Sequence, residues 1–356
     1  MKFKIGKVEF GSKKTIVIAE AGVNHLGDLS KAEKLVQAAK SGGADIIKFQ
    51  TYKASKLTTK NAPRFWDWEG ERDSKGSQYD SYSILDKFER PQYEALINLC
   101  QKYDIEFLST PFDNEAADML VDLGIRGFKV ASCDITNFPF LEHLAQFHLP
   151  ILLSTGASSI EEIRAAVDLI SAKSNAPVGI MQCTLCYPTD SKDANLRAML
   201  HIAKEFPNNL LGFSDHTFGT TVASASILYG VKYIEKHFTY DKTLPDSADH
   251  WLSLDEAELA KLVSELRILE QALSGSGIKE KLDCEDRTHK YARRSIVAAQ
   301  AIKKGTVLSK ENLCCKRPGT GLPPALMERL IGTVASRDIE EDELLQMSDF
   351  VELQNV

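Results

Sequence analysis

Two histidines stand at the ends of neighbouring apolar runs late in the chain. His216 lies in residues 212–217 (GFSDHT), and His237 lies in residues 233–239 (YIEKHFT). Both runs are typical of short buried strands, and residues 221–229 (TVASASILY) are apolar enough for a helix covering a parallel pair. Such a pair would hold the two imidazoles side by side, which favours a divalent-metal site. The simpler alternative is that each histidine is only hydrogen-bonded at the end of its strand.

Polar side chains also mark the ends of the other predicted strands. They are Glu20, Lys48 with Gln50, Ser109 with Thr110, Lys129 with Ser132, Ser154 with Thr155, Gln182 and Ser214. Two lysines with several hydroxyls suit a small phosphorylated carboxylate, because the lysines neutralise its anions and the hydroxyls orient it. Carboxylates for sugar hydroxyls or for proton transfer, together with a metal, would complete a site for carbonyl chemistry.

Side chains alternate between the two faces of a strand, which predicts the face on which each of these residues and its neighbours lies. Lys48 and Gln50 fall on one face, which suits a joint role. Lys236, next to His237, is predicted to face the other side of the barrel wall and to be structural. Asp215 also alternates away from the site, and is predicted either to support it from behind or to face solvent.

The elements that must position these residues alternate between strand and helix. Strands are predicted at residues 15–19, 45–50, 106–109, 127–130, 150–154 and 178–182, followed by the two histidine-bearing runs. Helices are predicted at residues 29–40, 91–103, 114–123, 140–146, 195–205 and 221–229, and capping boxes at 159–162 and 253–256 open two more. Eight strand-then-helix units predict a parallel (β/α)8 barrel, whose active site forms at the carboxyl ends of the strands. An open doubly wound sheet is the alternative, but residues 19–24 (AEAGVN) lack its glycine-rich fingerprint.

The chain divides into segments of different character. Residues 1–14 alternate apolar and charged around two glycines, as a small hairpin does, and residues 15–277 form the predicted barrel. A polar insertion at residues 51–90 contains Trp66 and Trp68, which would form a lid, a sugar platform or only a local core. Residues 278–290 are a predicted linker. Residues 291–356 contain short β-like runs broken by turns, typical of a small β-rich second domain.

Composition excludes several classes of protein. The 356 residues carry a formal net charge of -7 with both signs interspersed, which argues against a nucleic-acid partner or a membrane surface. No apolar run approaches a membrane span, and the first residues lack the apolar core of a signal peptide. The 7 cysteines have no disulfide-like spacing, and Cys183, Cys186, Cys314 and Cys315 are predicted to be free thiols. We therefore expect a cytoplasmic protein.

Together these motifs resemble the sialic acid synthase family, which makes nonulosonic acids from phosphoenolpyruvate and an N-acetylated hexose. The matching stretches are residues 18–25 (IAEAGVNH), 47–50 (IKFQ), 108–112 (LSTPF), 128–132 (FKVAS), 153–156 (LSTG), 182–184 (QCT) with Tyr187-Pro188, 212–217 (GFSDHT) and 235–239 (EKHFT). Residues 316–321 (KRPGTG) resemble the C-terminal antifreeze-like (SAF) module of that family. The resemblance covers essentially the full length, and implies a TIM barrel followed by a small β-rich antifreeze-like domain.

The resemblance also implies a role for each matched residue. Phosphoenolpyruvate would be held by Lys48, Lys129, Thr110, Ser132, Ser154 and Ser214. The open-chain sugar would face Glu20, Gln50, Asp134, Tyr187 and Asp249. The catalytic residues would be Glu20, Lys48, Lys129 and Asp134. His216 and His237 would bind a divalent ion, Mn²⁺ or alternatively Mg²⁺ or Co²⁺, with water and substrate oxygens completing its shell.

A homodimer is a further implication of the resemblance. The C-terminal domain would be exchanged between protomers, so that Arg317 reaches the sugar site of the partner.

The chain departs from the bacterial pattern of this family at several positions. Asp134 stands where many members have Glu, a form that also resembles the animal enzymes, so its role would survive with one methylene less reach. Leu185 replaces a polar residue that contacts phosphoenolpyruvate in some members. The segment containing Asp249 is displaced by one residue, and the insertion that borders the sugar pocket matches no single subfamily.

The expected reaction condenses phosphoenolpyruvate with N-acetylmannosamine, its 6-phosphate or a related N-acetylated hexose, and releases phosphate by C–O cleavage. Residues 129–134 with 137–139 are of sialic type and favour an N-acetylmannosamine-like configuration; legionaminic or pseudaminic acid synthesis by the same chemistry is the alternative. A Schiff-base aldolase using Lys48 or Lys129 is a rival enzyme. A non-catalytic carbohydrate-binding or ice-binding protein is a rival of another class.

Overall fold

The computed structural model describes residues 1–66, 76–244 and 249–351 of the chain. The chain divides into two units, Met1–Ser274 and Gly275–Val356. Within the described ranges, no helix is both long enough and apolar enough to cross a membrane. All 7 cysteines are free thiols.

The first unit is a parallel (β/α)8 barrel preceded by an antiparallel hairpin. The hairpin strands are β1 (Phe3–Ile5) and β2 (Val8–Phe10). The barrel strands are β3 (Ile16–Gly22), β4 (Ile46–Thr51), β5 (Glu106–Pro111), β6 (Phe128–Val130), β7 (Ile151–Ser154), β8 (Val178–Cys183), β9 (Leu210–Asp215) and β10 (Tyr233–His237). They follow the order β5-β4-β3-β10-β9-β8-β7-β6, and β5 lies against β6, which closes the sheet. The predicted barrel is confirmed.

Helices follow the strands and cover the outside of the barrel. They are α1 (Leu29–Ser41), α2 (Ala54–Leu57), α3 (Gln78–Leu85), α4 (Arg90–Lys102), α5 (Asn114–Asp122), α6 (Phe138–Ala145), α7 (Ile160–Lys173), α8 (Ala198–Glu205), α9 (Thr221–Ala225) and α10 (Glu256–Ala272). The insertion contributes α2 and α3. The predicted helix at 221–229 is α9 continued by a 3-10 turn at Ser226–Tyr229.

Side chains inside the barrel change from apolar to polar along each strand. The amino-terminal end is filled by Phe3, Ile5, Val8, Phe10, Ile16, Ile18, Ile46, Leu108, Leu152, Met181, Leu210 and Tyr233. Tyr233 lies so close to β9 that a Cβ at Gly212 would be 2.3 Å from its ring. Because alternate residues share a face, the positions two residues beyond this layer point into the opposite, carboxyl end. The hairpin thus closes one end of the barrel, and the polar residues are left at the other.

One of the two predicted capping boxes is present and the other was wrong. Ser159 and Glu162 cap α7 reciprocally, as predicted. Ser253 does not cap α10, because its hydroxyl donates instead to the carbonyl of Asp249 at 2.6 Å. The chain at Leu254 is still extended and bonded to β10, so the helix starts later, with Asp255 as its N-cap.

The second unit is built from short antiparallel strands. It contains α11 (Asp286–Tyr291), β11 (Ser295–Ala298), β12 (Leu313–Lys316), α12 (Met327–Leu330), β13 (Val334–Ala335) and β14 (Phe350–Val351). β11 pairs with β12, and β13 pairs with β14. Its core is formed by Ile296, Ala298, Ile302, Leu308, Leu313, Leu322, Leu330, Ala335, Ile339 and Leu345. The predicted small β-rich C-terminal domain is confirmed.

Candidate active site

A cavity of about 1210 Å³ opens at the carboxyl ends of the barrel strands. Every barrel residue to which the family resemblance assigns a role lines it. These residues are Glu20, Lys48, Gln50, Thr110, Lys129, Ser132, Asp134, Ser154, Tyr187, Ser214, His216, His237 and Asp249. The alternation that fills the lower barrel with apolar side chains therefore brings the polar ones to a single mouth.

Two lysines and two carboxylates form the buried floor of the cavity. Lys48 Nζ lies 2.6 Å from Glu20 Oε2 and 3.7 Å from Glu235 Oε1. Lys129 Nζ lies 3.7 Å from the same Glu235 oxygen. All four side chains are almost completely buried. Glu235 thus holds the two ammonium groups close together, where one small anion would contact both.

Glu235 was missed by the sequence analysis. The signal was present, because Lys236 was correctly assigned to the outer side of the barrel wall and strand alternation then turns Glu235 and His237 inward. Cys183, which also lines the cavity 4.0 Å from the His216 ring, follows from the same alternation after Met181 in β8.

The floor is electrostatically balanced, with strong opposing effects on each group. Burial alone would lower the pKa of Lys48, but Glu20 and Glu235 outweigh it, and that pKa lies above its usual value. Burial lowers the pKa of Lys129, with Glu235 opposing. Burial raises the pKa of Glu20 despite Lys48. Burial would also raise the pKa of Glu235, but Lys129 and Lys48 hold it below its usual value.

Hydroxyl groups surround this floor. Lys48 Nζ donates to Thr110 Oγ1 at 3.0 Å, and Ser214 Oγ donates to Glu235 Oε1 at 3.4 Å. Ser132 Oγ accepts a hydrogen bond from the backbone N–H of Gly156 at 2.8 Å, which holds this hydroxyl in place at the cavity. Neutral donors around paired cations can orient a bound anion without adding charge.

A second group of predicted residues lies around Glu20 and the upper mouth. Gln50 Nε2 donates to Glu20 Oε1 at 2.9 Å, so Lys48 and Gln50 bind the same carboxylate from one face of β4. Asp134 accepts from Asn137 Nδ2 at 3.1 Å, and burial raises its pKa. Burial, with Glu20 nearby, raises the pKa of Asp249 to about 6.

The histidine pair presents two imidazole groups to the cavity. The rings of His216 and His237 lie 5.3 Å apart, and Tyr187 packs on His216 at 4.1 Å. His216 Nδ1 lies 2.9 Å from the carbonyl of Thr184, which fixes that nitrogen as the donor and leaves Nε2 for a ligand. His237 Nδ1 is buried and has no hydrogen-bond partner among the described residues.

His237 is held in the neutral form that binds metals. Burial, helped by the positive charges of His216 and Lys48, keeps its pKa well below the usual value. Its 3.6 Å approach to Asp249 Oδ2 is therefore not an ion pair. Among the described residues, no group of three or more His, Cys, Asp or Glu side chains could hold an ion. The pair fits an ion that takes its remaining ligands from water and substrate.

Several strand-end residues lie outside the cavity. Ser109, Thr155 and Gln182 do not line it. Lys236 Nζ instead pairs with Asp215 Oδ2 at 3.1 Å inside the barrel wall, which confirms the structural interpretation of Lys236. Of the two alternatives predicted for Asp215, the solvent-facing one was wrong, because Lys236 and two hydrogen bonds from Thr217 hold its side chain in the buried wall.

Arg317 belongs to the second unit, where it follows β12 and is exposed. Its predicted reach into the partner's barrel stays a prediction. Trp66 lines the cavity and also contacts the rings of Phe65 and Tyr82, so its position is compatible with a sugar platform as well as with a local core. Trp68 lies outside the described residues.

A polar cavity at the carboxyl mouth of a (β/α)8 barrel is the active-site arrangement of enzymes with this fold. A sequence profile of the NeuB family matches residues 35–279, and one of the SAF domain matches residues 293–351. The chain belongs to the NeuB family.

Relatives of known name support an enzyme of this kind. The chain is 39% identical to N,N'-diacetyllegionaminic acid synthase of Legionella pneumophila over 92% of this chain and 93% of the relative. It is 34% identical to N-acetylneuraminate-9-phosphate synthase of Homo sapiens, over 94% of this chain and 92% of the relative. The crystal structure of N-acetylneuraminic acid synthetase from Leptospira borgpetersenii superposes with a TM-score of 0.71 at 32% identity, covering 81% of this chain and 95% of that one. The protein is thus an enzyme of the nonulosonic acid synthase family.

Proposed function

We propose that the protein condenses phosphoenolpyruvate with N-acetylmannosamine or a related N-acetylated hexose, and with water, to give a 2-keto-3-deoxy nonulosonic acid and phosphate. The observation that carries this proposal is the pair of buried lysines bridged by Glu235 in one cavity with the two histidines. A dianionic or trianionic substrate needs such cations, and a carbonyl acceptor needs an electrophilic group beside them.

Phosphoenolpyruvate would bind on the floor of the cavity. Lys48 and Lys129 would neutralise its phosphate and carboxylate, while Thr110, Ser132, Ser154 and Ser214 would orient it. Lys48 lies in β4 and Lys129 lies in β6. Both strands belong to the barrel sheet, so the barrel itself fixes the distance between the two lysines. Rigid strand positions give the precise placement that condensation of two substrates requires.

The acceptor would occupy the side of the cavity marked by Gln50, Asp134, Tyr187 and Asp249. Glu20 lies between the two substrate regions, because it binds Lys48 with one oxygen and Gln50 with the other. We assign Glu20 to proton transfer with the reacting water, and Asp134 to proton transfer and hydrogen bonding at the sugar. Burial raises the pKa of both carboxyl groups, which suits proton exchange.

His216 and His237 would hold a divalent ion, Mn²⁺ or alternatively Mg²⁺ or Co²⁺. When bound there, such an ion supplies a Lewis acid for the aldehyde of the open-chain sugar. The chain's own contribution is two imidazoles: His216, whose Nδ1 is directed at the carbonyl of Thr184, and His237, which burial keeps neutral and whose Nδ1 has no hydrogen-bond partner among the described residues.

The proposed bond changes balance as follows. The methylene carbon of phosphoenolpyruvate bonds to the aldehyde carbon, whose oxygen takes a proton. Positive charge at the second carbon of phosphoenolpyruvate is met by water, which loses a proton to a carboxylate. The tetrahedral product then loses its hydroxyl proton and expels phosphate by C–O cleavage. Lys48 and Lys129 stabilise the negative charge on phosphate and carboxylate throughout.

A phosphate-release assay with a panel of acceptors tests this function. Release of phosphate from phosphoenolpyruvate should depend on an N-acetylated hexose, and the panel should include N-acetylmannosamine, its 6-phosphate and a di-N-acetylated 6-deoxyhexose. Absence of acceptor-dependent release with every sugar would contradict the proposal.

We also propose that Arg317 acts on the acceptor across a homodimer with exchanged C-terminal domains. Arg317→Ala should then raise the KM of the sugar and leave that of phosphoenolpyruvate nearly unchanged, at a cost of about 1–3 kcal/mol for a lost charged hydrogen bond. The neighbouring Lys316→Ala is the control, because Lys316 already pairs with Asp342 at the surface.

Subunit exchange distinguishes an Arg317 that acts in the partner's barrel from one that acts within its own protomer. Arg317→Ala mixed with barrel-defective Lys129→Ala should regain activity, since one mouth of each heterodimer has both parts intact. If demonstrated heterodimers stay as inactive as the parents, Arg317 does not act across the interface.

A further inference from the structure

The insertion after β4 supplies a row of aromatic rings to the cavity. Trp66 lies 4.7 Å from Phe65 and 5.6 Å from Tyr82, and Tyr82 lies 5.6 Å from Tyr52. Tyr52 in turn meets Phe112 at 6.0 Å. All five rings line the cavity, and we call them the aromatic wall. The apolar side chains that extend this wall are Leu57, Ile84 and Leu85.

The aromatic wall lies on the acceptor side of the cavity. Burial is the main reason that the pKa of Tyr82 is raised, and the nearby Cys133 and Asp249 add to the effect. The pKa of Tyr52 is also raised by burial, with Asp249 among the contributing charges. Both hydroxyls are thus within electrostatic range of Asp249, which we place on the sugar side. The Tyr82 hydroxyl is also within electrostatic range of Cys133, which is next to Asp134 in the chain.

The positive charges near the aromatic wall already face carboxylates, which disfavours the binding of an anion there. Among the described residues that line the cavity, the cations other than the floor lysines are Lys31, Arg64 and Lys242. Lys242 pairs with Glu258 at 2.8 Å, and Arg64 lies beside Asp80. Lys31 is within electrostatic range of Asp28. A phosphate at this end would compete with three carboxylates for its counter-charges, whereas a methyl or acyl group would pack on the rings.

Tyr52 adds a directional group to this apolar surface. The residue is only 4% exposed, and its hydroxyl has no hydrogen-bond partner in the part of the chain that the structure describes. Buried hydroxyls are nearly always paired, so an unpaired one beside a ligand cavity is suited to a substrate acceptor such as an amide carbonyl.

We propose that the aromatic wall selects an acceptor whose end remote from the aldehyde is uncharged and carries a second acylamino group or a deoxy methyl. Trp66 and Tyr82 pack against that group, and Tyr52 donates to the acyl carbonyl. The inference rests on the proposed function and narrows its acceptor to a di-N-acylated, 6-deoxy hexose in preference to a sugar phosphate.

Steady-state kinetics on the full chain with added Mn²⁺ test this selection. Phosphate release is measured with a di-N-acetylated 6-deoxyhexose, with N-acetylmannosamine and with N-acetylmannosamine 6-phosphate. We expect kcat/KM for the first to exceed that for the phosphate by about 100-fold or more, as for a site that pairs poorly with a charged substituent. Tyr52→Phe, which removes only the hydroxyl, should lower kcat/KM for the di-acylated sugar about ten-fold and leave N-acetylmannosamine unchanged.

Two further variants separate selection from folding. Trp66→Ala should raise the KM of the di-acylated sugar and leave that of phosphoenolpyruvate unchanged. Tyr79→Ala is the matched control, because Tyr79 lies on α3 with Tyr82 but does not line the cavity, and it should change neither constant.

The possible results distinguish failure of this inference from failure of the proposed function. Preference for the 6-phosphate, or equal losses on all acceptors in Tyr52→Phe and Trp66→Ala, would overturn the inference and leave the proposed function standing. Absence of turnover with all three acceptors would overturn both.

Discussion

His237→Ala is expected to lower kcat by about 10³-fold or more, corresponding to roughly 4 kcal/mol of transition-state stabilisation. The side chain lines the cavity with a neutral ring, and its Nδ1 has no hydrogen-bond partner within the described ranges, which is the state of a histidine able to bind an ion. His216→Ala should have a similar effect. Chelation of the wild-type protein should abolish phosphate release, and Mn²⁺, Co²⁺ or Mg²⁺ should restore it.

Ion binding can be measured without turnover. Titration of Mn²⁺ followed by electron paramagnetic resonance should show one bound ion per barrel, lost in both variants. His143→Ala is the control, since His143 lies on α6 outside the cavity and should retain the ion. Full activity of His216→Ala or His237→Ala in the presence of chelator would show that the reaction does not require a metal ion at this site.

Lys129→Met is expected to reduce kcat/KM for phosphoenolpyruvate by about 10²–10³-fold, or 3–4 kcal/mol, which is the usual cost in binding of removing one partner of a buried charge pair. The change removes a cation 3.7 Å from Glu235, so the carboxylate then repels the incoming anion. Binding of phosphoenolpyruvate measured by calorimetry should weaken in parallel, while the KM of the sugar changes little.

A second buried lysine provides the control for this change. Lys236→Met also removes one partner of a buried pair, but Asp215 and Lys236 lie in the barrel wall and not in the cavity. It should lower the melting temperature and leave the KM of phosphoenolpyruvate unchanged in the folded protein. If Lys129→Met binds phosphoenolpyruvate as tightly as the wild type, the floor of the cavity is not its site.

A Schiff-base aldolase makes a different prediction for the same lysines. Burial lowers the pKa of Lys129, as such a nucleophile requires, but the two carboxylates of the floor hold the pKa of Lys48 high. Borohydride treatment in the presence of pyruvate should give no adduct.

The barrel could be predicted because its signal is repeated in each unit. Apolar strands end in polar residues, and the same alternation that buries Ile46 turns Lys48 and Gln50 toward the mouth. The correct outward assignment of Lys236 already implied the inward position of Glu235. Glu235 could therefore have been predicted from the alternation of side chains along β10.

Other features depend on contacts that the local sequence does not show. Ser253 and Glu256 form an acceptable capping box by spacing, but a bond from Ser253 to Asp249 and the continued extension at Leu254 move the helix start to Glu256. Burial of Asp215 depends on its pairing across strands with Lys236.

The aromatic wall required long-range packing of the same kind. Its rings come from the end of β4, the insertion, α3 and the segment after β5, which are far apart in sequence. The sequence alone left three interpretations of Trp66 open, because nothing local shows which side of the insertion meets the cavity.

The most direct test of the proposed condensation follows the bridging oxygen of phosphoenolpyruvate. The full-length protein is incubated with Mn²⁺, an accepted N-acetylated hexose and phosphoenolpyruvate labelled with ¹⁸O between carbon and phosphorus, and both products are analysed by mass spectrometry. We expect the label to leave with phosphate and a nonulosonic acid to form in equal amount. Label retained in the sugar product, which indicates P–O cleavage, or phosphate released without the sugar acid, would contradict the proposed condensation.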